Sequence, residues 1–158
     1  MAGFLTLLQI EEIEGDDRRF RLLAPCPYHL KTPDGDEWVD VPKGFITDFG
    51  SIPQVFWNIP GLSPFGHYRR AYAVHDKLFV APVIRTATGV RICSFSEANR
   101  ILREAMCVLD DAIACSNVFT RLGRKTTRGL VWSQVQTWGK LVWNHHRSRD
   151  KDITKENQ

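Results

Sequence analysis

Apolar and polar residues alternate with a period of two through the first fifty positions and with a helical period beyond them. Phe4–Ile13 and Arg18–Leu23 read as strands joined at the turn Glu14-Gly15-Asp16-Asp17. Tyr28–Thr32 and Glu37–Val41 read as a second hairpin around Pro33-Asp34-Gly35-Asp36. Pro42-Lys43-Gly44 bends the chain before Phe45–Asp48. At Ser51 the character changes. Ser51 fits an N-cap ahead of Ile52-Pro53, and a short helix over Pro53–Asn58 ends at Pro60-Gly61. Tyr68, Ala71, Tyr72, His75, Leu78 and Phe79 recur at spacings of three and four, which predicts a helix over Tyr68–Val80.

Pro82 stops that helix, and Val83–Ile92 is rich in β-formers around a turn at Thr88-Gly89. Ser94 and Glu97 have the spacing of a capping box. The helix they open runs through Ile101, Leu102, Ala105, Met106, Val108 and Leu109, to Ala114 or into a second short helix. A last helix is expected over about Arg128–Asn144, with Val131, Trp132, Val135, Trp138, Leu141 and Val142 on its apolar stripe. The expected architecture is α+β, with N-terminal antiparallel β-hairpins packed against three to four helices. Residues 1–144 form one domain in this reading, and 145–158 a polar, frayed C-terminal tail.

Composition narrows the class of protein. The chain has 158 residues, 43% hydrophobic and 25% charged, which suits one globular domain and excludes a disordered or fibrous chain. Lys and Arg number 21 against 18 Asp and Glu, a net charge of +3 too mild to argue for nucleic acid. The balance is uneven, however. Residues 1–48 hold ten acids and five bases, and residues 121–149 hold seven bases and no acid. Such asymmetry marks either a surface partner or a solvated helix face. Trp132, Trp138 and Trp143 beside Lys140, Arg147 and Arg149 also permit an interfacial membrane belt, though Trp132 and Trp138 fall on the apolar stripe and favour core packing.

Cys26, Cys93, Cys107 and Cys115 show neither metal-knuckle nor C-x-x-C spacing, so they read as buried thiols of a reducing compartment. Met1–Ile10 lacks a basic n-region and a cleavage site, and no apolar run is long enough to span a bilayer. The expected location is the cytosol, where virion proteins are also made.

The candidate chemistry lies in His75-Asp76. His serves as a base on water near neutral pH, and Asp holds a hard cation such as Ca²⁺. Asp48, where a strand leaves the sheet, is placed to pair with His75 or to complete a cation site with Asp76. It is equally placed to close an Asx-turn. Glu97 and Asn99, in the first turns of the following helix, are candidates to face His75. Arg69, Arg70 and His67 are weaker candidates for binding phosphate.

Two blocks carry a resemblance. The first is Val41, Pro42, Gly44, Phe45, Thr47, Asp48, Ser51, Ile52 and Pro53; the second is Arg69, Ala71, His75, Asp76 and Leu78. Together they resemble the domain of unknown function 1353 family of tailed bacteriophages and prophages, over roughly residues 18–110. The resemblance implies a phage origin more than an activity. The family usually has Tyr where this chain has Phe79, and Ala-Asp where it has Ala98-Asn99. His75-Asp76 is also similar to the His-Asp helix of secreted and parvoviral phospholipases A2. That similarity implies His75 as the base, Asp76 as the calcium ligand, and Asn99 where an orienting Asp stands. Gly44 and Gly50 only loosely suggest the glycine-rich calcium loop.

The resulting expectation is a phage or prophage accessory protein with a metal-assisted hydrolase site. Its catalytic residues would be His75, Asp48 and Asn99, with Asp76 and Asp48 on Ca²⁺ or another divalent metal, acting on a lipid ester or a cell-envelope substrate. The alternative is a non-enzymatic virion component or host-protein binder, in which His75 and Asp76 form a structural knot. Phage structural proteins or a host protein are the expected partners in that case.

Overall fold

A computed structural model describes residues 2–33, 36–49, 66–113, 118–137 and 139–156, with the side chains at 17, 118–121 and 149–156 outside that description. The expected helix over Pro53–Asn58 with its Ser51 cap, and also Gly50, Cys115 and Trp138, lie outside the described residues.

Among the described residues the strands form two antiparallel sheets. One contains β1 (Gly3–Phe4), β4 (Tyr28–His29), β5 (Glu37–Val39), β7 (Val83–Thr86) and β8 (Gly89–Ile92), in the spatial order β1-β4-β5-β7-β8. The other contains β2 (Ile10–Ile13), β3 (Asp16–Leu22) and β6 (Ile46–Thr47), in the order β2-β3-β6. The helices are α1 (Arg69–Val80), α2 (Phe95–Asp111), α3 (Val118–Thr137) and α4 (Gly139–Glu156). The architecture is α+β, as the alternation of periods requires.

Both expected hairpins form. The pairing of β2 with β3 turns at Gly15, whose φ of 80° a residue with a side chain rarely adopts. The pairing of β4 with β5 aligns Tyr28 with Val39 and His29 with Trp38. The expected single strand over Phe4–Ile13 is instead two, β1 and β2, in different sheets. Phe4 turns inward onto Tyr28, with ring centroids 4.8 Å apart, while Leu5 and Leu7 are exposed. One continuous strand cannot serve both sheets.

A second left-handed glycine, Gly44, directs the chain into β6. Its amide donates to Leu22 O at 2.8 Å, and Leu22 N donates back to Phe45 O at 2.9 Å. The bend therefore lays Ile46–Thr47 beside β3 and points the chain at α1.

The core lies between the sheets and the helices. Tyr28, Val39 and Ile84 from one sheet and Phe20 and Leu22 from the other are buried. So are Ile101, Leu102, Ala105, Met106 and Leu109, the helical-period stripe of α2. α1 is buried nearly all round, through Ala71, Tyr72, Ala73, Val74, His75, Leu78 and Phe79. A helix apolar on every side is a central helix, and α1 packs against α2, α4 and β6. The capping box forms as its spacing predicts: Ser94 Oγ accepts from Glu97 N at 3.2 Å.

The C-terminal third departs from expectation. Helix extends well beyond the expected Arg128–Asn144 on both sides: α3 covers Val118–Thr137, and α4 covers Gly139–Glu156, through the segment expected to be frayed. The boundary drawn at residue 144 thus falls inside α4. Leu141 and Val142, placed on the apolar stripe by a single uninterrupted helix, are exposed, and Trp143 is buried.

Candidate functional site

His75 sits midway along α1, one turn before Phe79, and only 4% of its surface is exposed. Its Nε2 lies 2.9 Å from Oδ1 of Asn99 on α2. Asn99 is fully buried, and its Nδ2 has no hydrogen-bond partner. With Oδ1 as acceptor, Nε2 carries the ring proton and Nδ1 keeps its lone pair. Burial pushes the imidazole pKa down from 6.5 to about 4, and the bond to Asn99 opposes only part of that shift. The ring is therefore neutral throughout the physiological range. The Phe79 ring covers it, with centroids 4.2 Å apart.

Asp76 is the next residue, about 100° around the helix, and it turns to a different neighbour. Its Oδ2 accepts from Thr47 Oγ1 at 2.5 Å. Thr47 Oγ1 in turn accepts from Phe49 N at 3.0 Å. The single hydroxyl proton of Thr47 is thus committed to Asp76. Phe49 has φ 57°, and it is the single non-glycine residue with positive φ among those described. Its buried ring, 5.2 Å from that of Phe20, holds this conformation. Tyr72, one turn before Asp76, has its phenol pKa raised by burial and then by the Asp76 charge, so the hydroxyl keeps its proton.

Of the residues singled out from the sequence, the structure joins His75 to Asn99 and Asp76 to Thr47. Asp48 lies between Thr47 and Phe49 at the exit of β6, half-buried. Among the described residues no three His, Cys, Asp or Glu side chains gather as a metal site would require. Glu97 faces elsewhere. It pairs with Arg91 of β8 at 2.7 Å, and Arg91 also grips Glu37 at 2.7 Å. Arg91 accordingly holds the Glu97 and Glu37 carboxyls below the usual range. Arg70 lies over the Phe4 ring at 5.0 Å, and His67 contacts Asp110 at 3.5 Å. Neither is presented as an anion site.

Two features escaped the sequence reading. Thr47 stands in the first block, but nothing in the pattern shows that its hydroxyl reaches a helix 29 positions away. Asp110 looks like any acid near a helix C-terminus. It is a buried hub: Tyr68 OH donates to it at 2.9 Å, Arg128 pairs with it closely, and Arg124 is 3.9 Å away. Arg147 Nη2, from α4, donates to Phe79 O at 2.8 Å and Val80 O at 3.0 Å. Three of the seven bases in residues 121–149 are thus engaged within the protein. Trp132 is half-buried with Arg103 5.7 Å over its ring, and Trp143 packs between Phe79 and Phe95. Both favour packing over an interfacial belt. No helix is long and apolar enough among the described residues to cross a membrane.

The molecule is thus an α+β protein in which a buried histidine on a central helix is oriented by an amide from the neighbouring helix. Residues 20–119 match the family described as Protein of unknown function (DUF1353), and the chain belongs to it. No curated protein and no solved structure matches the chain.

Proposed function

We propose that the chain is a phage or prophage accessory protein with a general-base hydrolytic site on α1. The observation that carries this reading is the bond from His75 Nε2 to Asn99 Oδ1 across the α1–α2 interface. A base needs one ring nitrogen fixed by an acceptor and the other free to take a proton, and this bond supplies the first condition. His75 Nδ1 takes a proton from water, and the water oxygen adds to an ester carbonyl. The protonated ring then returns the proton to the departing alkoxide. Asn99 orients the ring but, being neutral, does not offset the imidazolium charge, so turnover is slow. Thr47 fixes Asp76 beside the base. The substrate class is an acyl ester of a lipid or of a cell-envelope polymer. The phage assignment rests on the resemblance of the Val41–Phe79 blocks to a family of tailed phages and prophages.

A divalent cation at Asp76 and Asp48 would polarise the ester carbonyl, and the assay below, run with Ca²⁺ and with chelator, tests for it.

A second reading has its own support. His75 is almost fully buried, and His75 and Asp76 are each bonded to a different element. That is how a structural knot fastening α1 to α2 and β6 would look, in a virion component or host-protein binder. One experiment separates the two. The purified chain, His75→Gln and Asp76→Asn are assayed on fluorogenic acyl esters, phospholipid vesicles and cell-wall polymer, each with Ca²⁺ and with chelator. Hydrolysis lost in His75→Gln at unchanged folding supports the site. No hydrolysis in any protein, with both variants melting lower, supports the knot.

A further inference from the structure

The Phe79 ring packs on His75, and Phe79 is itself covered by α4. Trp143 meets the Phe79 ring edge-on at 5.2 Å and the Phe95 ring at 5.8 Å. The backbone of Gly139 lies so close that an added Cβ would stand 3.3 Å from the Phe79 ring. Arg147 donates to the carbonyls of Phe79 and Val80, the last of α1, and its guanidinium lies 5.3 Å over the Trp143 ring. A cation at these orphan carbonyls is favoured twice, by hydrogen bonding and by the negative end of the helix dipole.

Little of α4 is buried among its described residues. Among its described side chains Trp143 alone is buried, while Lys140, Leu141, Val142, Asn144, His145 and Ser148 are exposed. Among its described residues, the Trp143 ring, the Gly139 backbone and the Arg147 guanidinium hold this helix to α1. Segments with so few buried contacts open at a lower free energy than the core. α1 and α2, by contrast, are buried along their whole facing lengths.

We propose that α4 is an autoinhibitory strap: docked, it seals the aromatic stack over His75, and released, it admits solvent and substrate. The inhibitory role rests on the hydrolytic reading above, whereas the opening and closing do not. Arg147 is the latch, because its contacts are polar and can be exchanged for water. Trp143 is the seal, because it covers Phe79 directly.

The test uses the full chain as wild type, Arg147→Ala, Arg147→Lys and Trp143→Ala, with folding followed by circular dichroism. Diethyl pyrocarbonate labels accessible imidazoles, and mass spectrometry resolves each histidine, with exposed His67 as the internal reference. In the wild type, α4 amides exchange hydrogen well before α1 amides, and His75 labels slowly. Loss of a charged hydrogen bond should raise His75 labelling about tenfold in Arg147→Ala, with Arg147→Lys between it and wild type. Should Trp143→Ala fail to fold, the arginine pair still decides the matter. The proposal is overturned if α4 amides exchange no faster than those of α1, or if Arg147→Ala frees α4 while His75 labels at the wild-type rate. Faster labelling with no ester hydrolysis in any variant keeps the strap and removes the hydrolytic reading. Hydrolysis that Arg147→Ala leaves unchanged keeps the site and removes the inhibitory role.

Discussion

The two helix pairs are held in different ways. α1 and α2 meet through apolar stripes, with one uncharged hydrogen-bonded pair, His75 and Asn99, buried between them. Among their described side chains α3 and α4 bury little beyond Val131, Thr127 and Trp143, and arginines join them to the rest of the molecule. Arg124 and Arg128 converge on Asp110, and Arg147 caps α1. The first pair is a core and the second is an attachment. The candidate chemistry sits in the core, under a cover supplied by the attachment. The family match ends at residue 119, where the attachment begins.

That contrast breaks first at Asp110. Asp110→Ala strands two partly buried arginines and the Tyr68 hydroxyl, and should cost about 4 kcal/mol, read by chemical denaturation. Leu102→Ala, in the fully buried stripe of α2, should cost about 3 kcal/mol, whereas Leu141→Ala on exposed α4 should stay within about 0.5 kcal/mol. Equal losses at the two leucines would erase the distinction between core and attachment.

Acid should act on the core through His75. Its pKa is depressed in the folded chain, from 6.5 to about 4, so between those values the unfolded chain binds a proton that the folded chain refuses. Stability is therefore complete above pH 6.5 and falls as pH drops toward 4, by about 3 kcal/mol in total. His75→Gln should remove that component of the pH dependence, measured from melts across the range. The smallest effect is expected at the α2 cap, where Ser94→Ala loses one side-chain bond worth about 1 kcal/mol.

Local signals were legible wherever one residue decides the outcome. Gly15 and the Ser94–Glu97 spacing set a turn and a helix start, and the period of Tyr68–Phe79 sets α1. Asn99 opposite His75 also followed from spacing and resemblance, since both lie on the buried stripes of consecutive helices. What was not legible depends on partners distant in sequence. The strand over Phe4–Ile13 divides because Phe4 finds Tyr28, 24 positions on. The basic run of the C-terminal third looked like one feature, but individual arginines serve Asp110 and the end of α1. The burial of Trp143 beside exposed Leu141 and Val142 was not legible either, because it depends on the Phe79 and Phe95 rings. Thr47 and Phe49 support Asp76 through a left-handed backbone conformation at Phe49 that Phe does not favour.

The account turns on which nitrogen of His75 carries the proton. Nitrogen-15 NMR of the imidazole at pH 7 reads this directly, with Asn99→Ala as the perturbation. The expected spectrum is a neutral ring protonated at Nε2 with Nδ1 free, and Asn99→Ala should shift the Nε2 resonance and leave Nδ1 unprotonated. A ring protonated at Nδ1, or an imidazolium at pH 7, would contradict the oriented base and leave His75 as a fastening between helices.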